Sequence, residues 1–169
     1  MTRSPIKLDP DNATYYRNRG NAKYNLKDYQ GAVADHTQAI ELDPDNAPDY
    51  NNRGVSKYTL GDYQGATSDL ERSIELDPQH PNSYFWRGCV RHTQHDYGNA
   101  IFDYNRAIEL DSRYANAYIN RCVSKYKSQD YQGSISDFIQ AIILNPSGSI
   151  TTNIEEIEKI IDETKNRLL

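Results

Sequence analysis

The chain has 169 residues, 37% of them hydrophobic and 25% charged, with a mean hydropathy of −0.88; this supports a core but not a thick globule, so an elongated fold suits it better. The net charge of −5 and an isoelectric point near 5.3 disfavour nucleic acid and anionic membrane surfaces as partners, because both call for basic stripes. Only Cys89 and Cys122 are present, at no metal-like spacing, which points to a reducing compartment and hence the cytoplasm; the opening MTRSPIKLDPDN has no apolar core and no run approaches the roughly 18 apolar residues of a membrane span, so neither a signal peptide nor a span is expected.

The sequence overlays on itself at a shift of 34 residues, with about half the positions matching between YRNRGNAKYNLKDYQGAVADHTQAIELDPDN and YNNRGVSKYTLGDYQGATSDLERSIELDPQH. In chain order, residues 1–12 contain IKLDPDN, a near duplicate of the IELDPDN that closes the first copy, and read as the remnant of a preceding repeat in a piece of a longer protein. The first face of the array would then be exposed apolar surface, open to self-association. Four copies follow, at 13–46, 47–80, 81–114 and 115–148.

Each copy predicts two helices. In the first copy they run over Ala13 to Leu26 and roughly Tyr29 to Leu42, the second carrying Ala32, His36, Ala39 and Ile40 on one face. Asp28, Asp62, Asp96 and Asp130 are placed to cap the second helices, and Asn12, Asn46 and Asn116 to cap or open first ones. Gly20, Gly54 and Gly88 fall inside first helices, where glycine costs about 1 kcal/mol against alanine. Opposite Ala32, Ala66 and Ala100 they let the two helices approach closely. The fourth copy has Cys122 and Ser134 instead, predicting a slightly wider hairpin in which Cys122 is a small core residue.

Arg19, Arg53, Arg87 and Arg121 are each followed sixteen residues later by an acid, Asp35, Asp69, Asp103 and Asp137. This predicts a ladder of ion pairs, within repeats or between neighbours, whose product is register more than stability. Beyond Pro146, Glu156 stands where another repeat needs a small residue. Ile150, Ile154, Ile157, Ile161 and Leu168 share one stripe, so 149–169 read as a polar-backed capping helix with Thr152 and Glu155 as a capping box.

Tyr16, Gly20, Ala32, Ala39 and Pro44 recur as Tyr50, Gly54, Ala66, Ser73 and Pro78; then as Tyr84, Gly88, Ala100 and Ala107, with Ser112 for the proline; then as Tyr118, Cys122, Ser134, Ala141 and Pro146. At this period the pattern resembles the tetratricopeptide repeat family over about 136 residues. The resemblance implies an all-α fold, a right-handed superhelical α-solenoid of antiparallel helix pairs. Its first helices would line a concave groove that the family generally uses to bind peptides or partner segments.

The implied lining is Arg17, Asn18, Asn21 and Tyr24, then Asn51, Asn52, Val55 and Tyr58, then Phe85, Trp86, Cys89 and His92, then Asn120, Val123 and Tyr126. Asn18, Asn52 and Asn120 share one slot, similar to the asparagine ladder by which some members hold an extended peptide, since an amide both donates and accepts. Phe85 and Trp86 would add an apolar anchor. Arg17, Asn21 and Asn52 match the chemistry of one half of the carboxylate clamp that other members use for acidic chaperone tails. Asn82 and Trp86 stand where its second half needs bases.

For catalysis, Cys89, His92 and His95 lie within one short stretch, but they lack a fourth ligand for a metal and an orienting acid for a nucleophile. No phosphate loop or Gly-x-Ser-x-Gly turn occurs. The expected function is therefore a non-enzymatic scaffold, without cofactor or metal, that binds an extended segment of another protein. A self-associating structural module is the alternative, and an RNA-binding helical repeat, which the acidic balance opposes, a minor one.

Overall fold

The computed structural model describes residues 11–145, so the leading remnant up to residue 10 and the capping helix lie outside the described residues. Within them the secondary structure is wholly helical: α1 (Ala13–Asn25), α2 (Tyr29–Leu42), α3 (Ala47–Thr59), α4 (Tyr63–Leu76), α5 (Pro81–Thr93), α6 (Tyr97–Leu110), α7 (Ala115–Lys127) and α8 (Tyr131–Leu144). None of these is long and apolar enough to cross a membrane. First helices begin at 13, 47, 81 and 115 and second helices at 29, 63, 97 and 131, so the 34-residue period of the sequence is also the period of the backbone.

The chain divides into two compact units between Pro78 and Gln79. In the first, α1 pairs with α2 and α3 with α4, and α3 also packs on α1 and α2. In the second, α5 pairs with α6 and α7 with α8, and α7 also packs on α5 and α6. The short turns within each pair make its helices antiparallel.

Local chemistry sets the helix ends. Asp28, Asp62, Asp96 and Asp130 accept from the backbone N–H three residues on, capping α2, α4, α6 and α8. Asn12 and Asn46 cap α1 and α3 in the same way. Asn116 does not cap: it lies inside the first turn of α7, whose capping position is held by Tyr114 without a side-chain capping bond. The register explains this, because Tyr114, not Asn116, stands 68 residues after Asn46. Each first helix is followed by one residue at positive φ, at Lys27, Gly61, His95 and Gln129, with the reversed hydrogen bonds of a Schellman end, as in Asp28 N–H to Lys23 C=O.

The mid-helix glycines are explained by contact, with a correction to the expected partner. A Cβ on Gly20 would lie 2.9 Å from the His36 ring, and one on Gly88 2.6 Å from Tyr104. On Gly54 it would meet Leu70 at 3.0 Å and the Ala66 carbonyl at 3.3 Å. The buried alanine column does lie at the crossing, but the glycines chiefly make room for the side chain one turn further along the second helix. In the fourth pair the Cys122 thiol and the Ser134 hydroxyl are 3.2 Å apart and neither residue has exposed surface, so Cys122 is the small core residue expected.

The ion-pair ladder forms inside each repeat. Arg19, Arg53 and Arg87 grip Asp35, Asp69 and Asp103 with two bonds each, at 2.6 to 3.0 Å, and Arg121 grips Asp137 likewise. A second cation joins each carboxylate four residues after the arginine: Lys23 at 2.9 Å, Lys57 at 2.8 Å, Arg91 at 2.7 Å and Lys125 at 2.9 Å. The guanidinium groups also lie over the rings of Tyr16, Tyr50, Tyr84 and Tyr118, 5.2 to 5.8 Å from their centres. The remaining arm reaches the preceding repeat within each unit: Arg53 donates to Thr37 at 3.3 Å and Arg121 to Asn105 at 2.7 Å.

Two substitutions separate contact from helix propensity. Gly88→Ala drives a methyl into a boxed-in tyrosine and is expected to cost about 1–3 kcal/mol, whereas Gly98→Ala, where nothing lies within 4 Å, should gain about 0.5–1 kcal/mol. Urea midpoints at unchanged m-value check both. For the ladder, Asp137→Ala strands two cations and should cost about 3–5 kcal/mol, while replacing Arg121 and Lys125 by Met together with Asp137→Leu should restore most of that loss. Thermal melts of the two variants compare them directly.

Candidate functional site

In the first unit the lining residues come from α1 and α3, which lie side by side. Arg17 is not a free cation. Its Nε and Nη2 bond Asp49 at 2.8 and 2.6 Å, and Nη2 also reaches Asp43 at 3.2 Å. Asp49 has no exposed surface, so the pair is a joint between the first two repeats. The His36 ring, itself almost wholly buried, stands with Nδ1 3.9 Å from the same carboxylate. Burial alone would push the Asp49 carboxyl up, but His36 and the Arg17 guanidinium beside it hold it below the usual carboxylate range. Asp35 behaves alike: burial is outweighed by its bonds from Arg19 and Lys23.

Around that joint the amides form a relay. Asn51 is buried and donates to Asn52 at 3.2 Å, and Asn52 donates to Asn21 at 3.1 Å. Asn18 and Asn21 are exposed and Asn52 is half-buried. Val55 is buried, so it backs the face without forming its surface. Tyr24 and Tyr58 stand half-buried at the edge, packed against Tyr29 and Tyr63 with ring centres 5.2 and 5.9 Å apart.

The second unit repeats the scheme with different side chains. Asn120 donates to the Cys89 sulfur at 3.3 Å, the slot-for-slot counterpart of Asn52 on Asn21. Phe85, expected as an open anchor, is buried instead: it packs against Trp86, Tyr104 and Tyr114 at 5.3, 6.0 and 4.9 Å. It therefore belongs to the core, whereas Trp86 beside it is half-buried. Val123 is buried like Val55. Cys89 is buried, and burial pushes its thiol up to about 12, which keeps it protonated and unreactive near neutrality. His92 bonds the buried Ser124 hydroxyl through Nδ1 at 2.8 Å and packs on Tyr97. Tyr126 packs on Tyr131 at 5.7 Å.

The arrangement thus offers, on each unit, amides and aromatic edges held in place by their neighbours. Among the described residues no group of three or more His, Cys, Asp or Glu side chains is placed to hold a metal. Sequence reasoning missed Asp49, which occurs in one copy only, and the edge tyrosines Tyr29, Tyr63, Tyr97 and Tyr131, which recur after every capping aspartate and were legible as a column.

Two family models, both described as tetratricopeptide repeat, match residues 13–46 and 51–117. No curated protein sequence matches the chain. Among solved structures, a crystal structure of MamA superposes with a TM-score of 0.75 at 20% identity, covering 83% of this chain and 82% of that one. The first TPR of Spaghetti (RPAP3), bound to the HSP90 peptide SRMEEVD, gives a TM-score of 0.66 at 24% identity, covering 76% of this chain and 99% of that one. The Arabidopsis OM64 TPR domain gives 0.67 at 26% identity, with 72% and 98% covered.

A pH prediction follows from the buried carboxylates. Asp35 and Asp49 have folded values below their unfolded value of about 3.9, so the stability they contribute is present above that pH and is lost as the pH falls through the folded values. Asp49→Asn should lower the melting temperature at pH 7 and flatten its fall between pH 5 and about 3; melts of both proteins across that range test it.

Proposed function

Because the chain belongs to the tetratricopeptide repeat family, we propose that the first-helix face of its units receives an extended segment of another polypeptide, without catalysis. The observation that carries this is the shared construction of the two faces. In each, an amide of the later repeat is bonded to the earlier one, Asn52 to Asn21 and Asn120 to the Cys89 sulfur, and a half-buried tyrosine of the same first helix, Tyr58 or Tyr126, packs on the tyrosine that opens the following helix. An amide has two donors and two acceptor sites; Asn52 uses one of each internally and Asn120 one donor, which orients them and leaves capacity for a peptide backbone. Binding would then depend on main chain and on a few apolar anchors rather than on a charge motif.

The solved structure of Spaghetti holds an acidic HSP90 peptide. This chain is built less well for such a tail: Arg17 is already committed to Asp49 and Asp43, and Asn82 and Trp86 occupy the positions where bases are wanted.

Peptides selected from a random display library against the full chain, then titrated by fluorescence anisotropy, test the reading. Asn52→Ala should weaken peptides held by the first unit about tenfold, or about 1.4 kcal/mol, and Trp86→Ala those held by the second, with unchanged helical circular dichroism. Selected peptides whose affinity survives both substitutions would move the site elsewhere.

A further inference from the structure

Among the described residues, the buried aspartates are Asp35, Asp49, Asp69, Asp103 and Asp137. Four of them each hold two cations, an arginine and, four residues after it, a lysine or second arginine. Asp49, the fifth, holds one permanent cation, Arg17, bonded through Nε and Nη2. The place of a second is taken by His36, whose Nδ1 stands 3.9 Å from the same carboxylate. Histidine is the side chain whose charge changes between about pH 5 and 8.

His36 is 1% exposed, and neither ring nitrogen meets a hydrogen-bond partner. Buried polar atoms are rarely left so. The ring is seated on Gly20, where an added Cβ would lie 2.9 Å from Cε1 and Nε2. A shift of about 1 Å would bring Nδ1 within charge-assisted hydrogen-bond distance of Asp49. Around it, α2 packs on α1 and α3, and the other charges of these elements are engaged elsewhere. Arg19 and Lys23 close on Asp35, Arg53 and Lys57 close on Asp69, Asp43 pairs with Arg17, and Glu41 is exposed.

The second unit makes the same joint without charge. At 68 residues on, Arg17, His36 and Asp49 become Phe85, Tyr104 and Ala117, all buried, with the Phe85 and Tyr104 rings 6.0 Å apart. Holding two repeats together therefore does not require the ionic set of the first unit, and its conditional cation points to control.

We propose that His36 is a proton-operated lock on the joint between the first two repeats. Protonated, it donates Nδ1–H to Asp49 and completes a fifth two-cation clasp, tying α3 to α2 as well as to α1. Deprotonated, it leaves Asp49 to Arg17 alone. The lock acts on α1 and α3, the helices that carry Asn21 and Asn52, so it stiffens the first-unit face in mild acid and loosens it above neutrality.

Of the four histidines, His36 alone lies in the first unit, so a response of that unit between about pH 8 and about pH 5.5 reports on it. This window lies above the one in which Asp49 itself takes up a proton. The test is amide hydrogen exchange of the full chain at both pH values, each rate divided by its intrinsic value. Protection in α1 and at the start of α3 should rise severalfold at the lower pH. The rise should vanish in His36→Leu, which installs the side chain that Leu70 supplies in the second repeat. Protection that stays level or falls in the native chain, or rises equally in the variant, would overturn the proposal. Independently, nitrogen-15 spectra should show a slowly exchanging His36 Nδ1–H at the lower pH and not at the higher; the same signal at both values, or at neither, would equally overturn it.

Discussion

In every helix pair a carboxylate of the second helix, almost wholly removed from water, is held by two cations of the first, and the rest of the packing accommodates that clasp. Its worth is geometric. Desolvation roughly cancels the attraction between such groups, but a planar guanidinium bonded twice to one carboxylate fixes both the slide and the rotation of one helix against the other. The tyrosine under the guanidinium restricts it further, and in each unit its third arm extends the same register to the preceding repeat. A hydrophobic contact of equal area would hold the helices together without choosing among neighbouring registers.

The glycine that follows the arginine relieves what the clasp imposes. With two helices held at one crossing, the side chain facing the glycine varies from His36 to Leu70 to Tyr104, and the absence of a Cβ absorbs the difference in bulk. Repeat to repeat, the polar clasp stays constant while the apolar filling changes.

The same economy shapes the first-helix faces. Arg17, Asn52 and Asn120 join neighbouring first helices within their units, and they belong to the face proposed to receive a peptide. Side chains oriented by such bonds lose less freedom on binding. The one charge among them, on Arg17, is already neutralised by Asp49 and Asp43.

The helices, their caps and the pairing of arginine with aspartate were legible because they recur: four copies of one solution separate structural columns from accident, as Asp28, Asp62, Asp96 and Asp130 show. Features confined to one copy were not. Asp49 looks like an ordinary surface acid of a helix start until the packing of α3 on α1 and α2 encloses it between Arg17 and His36. Phe85 looked like a groove anchor and proved to be core, because Tyr104 and Tyr114, nineteen and twenty-nine residues away, close over it. Periodicity by itself determined the elements, their register and which residues share a helix face. Only the tertiary structure decided which of those residues remain open, because exposure depends on the neighbouring helices, whose approach no local pattern encodes.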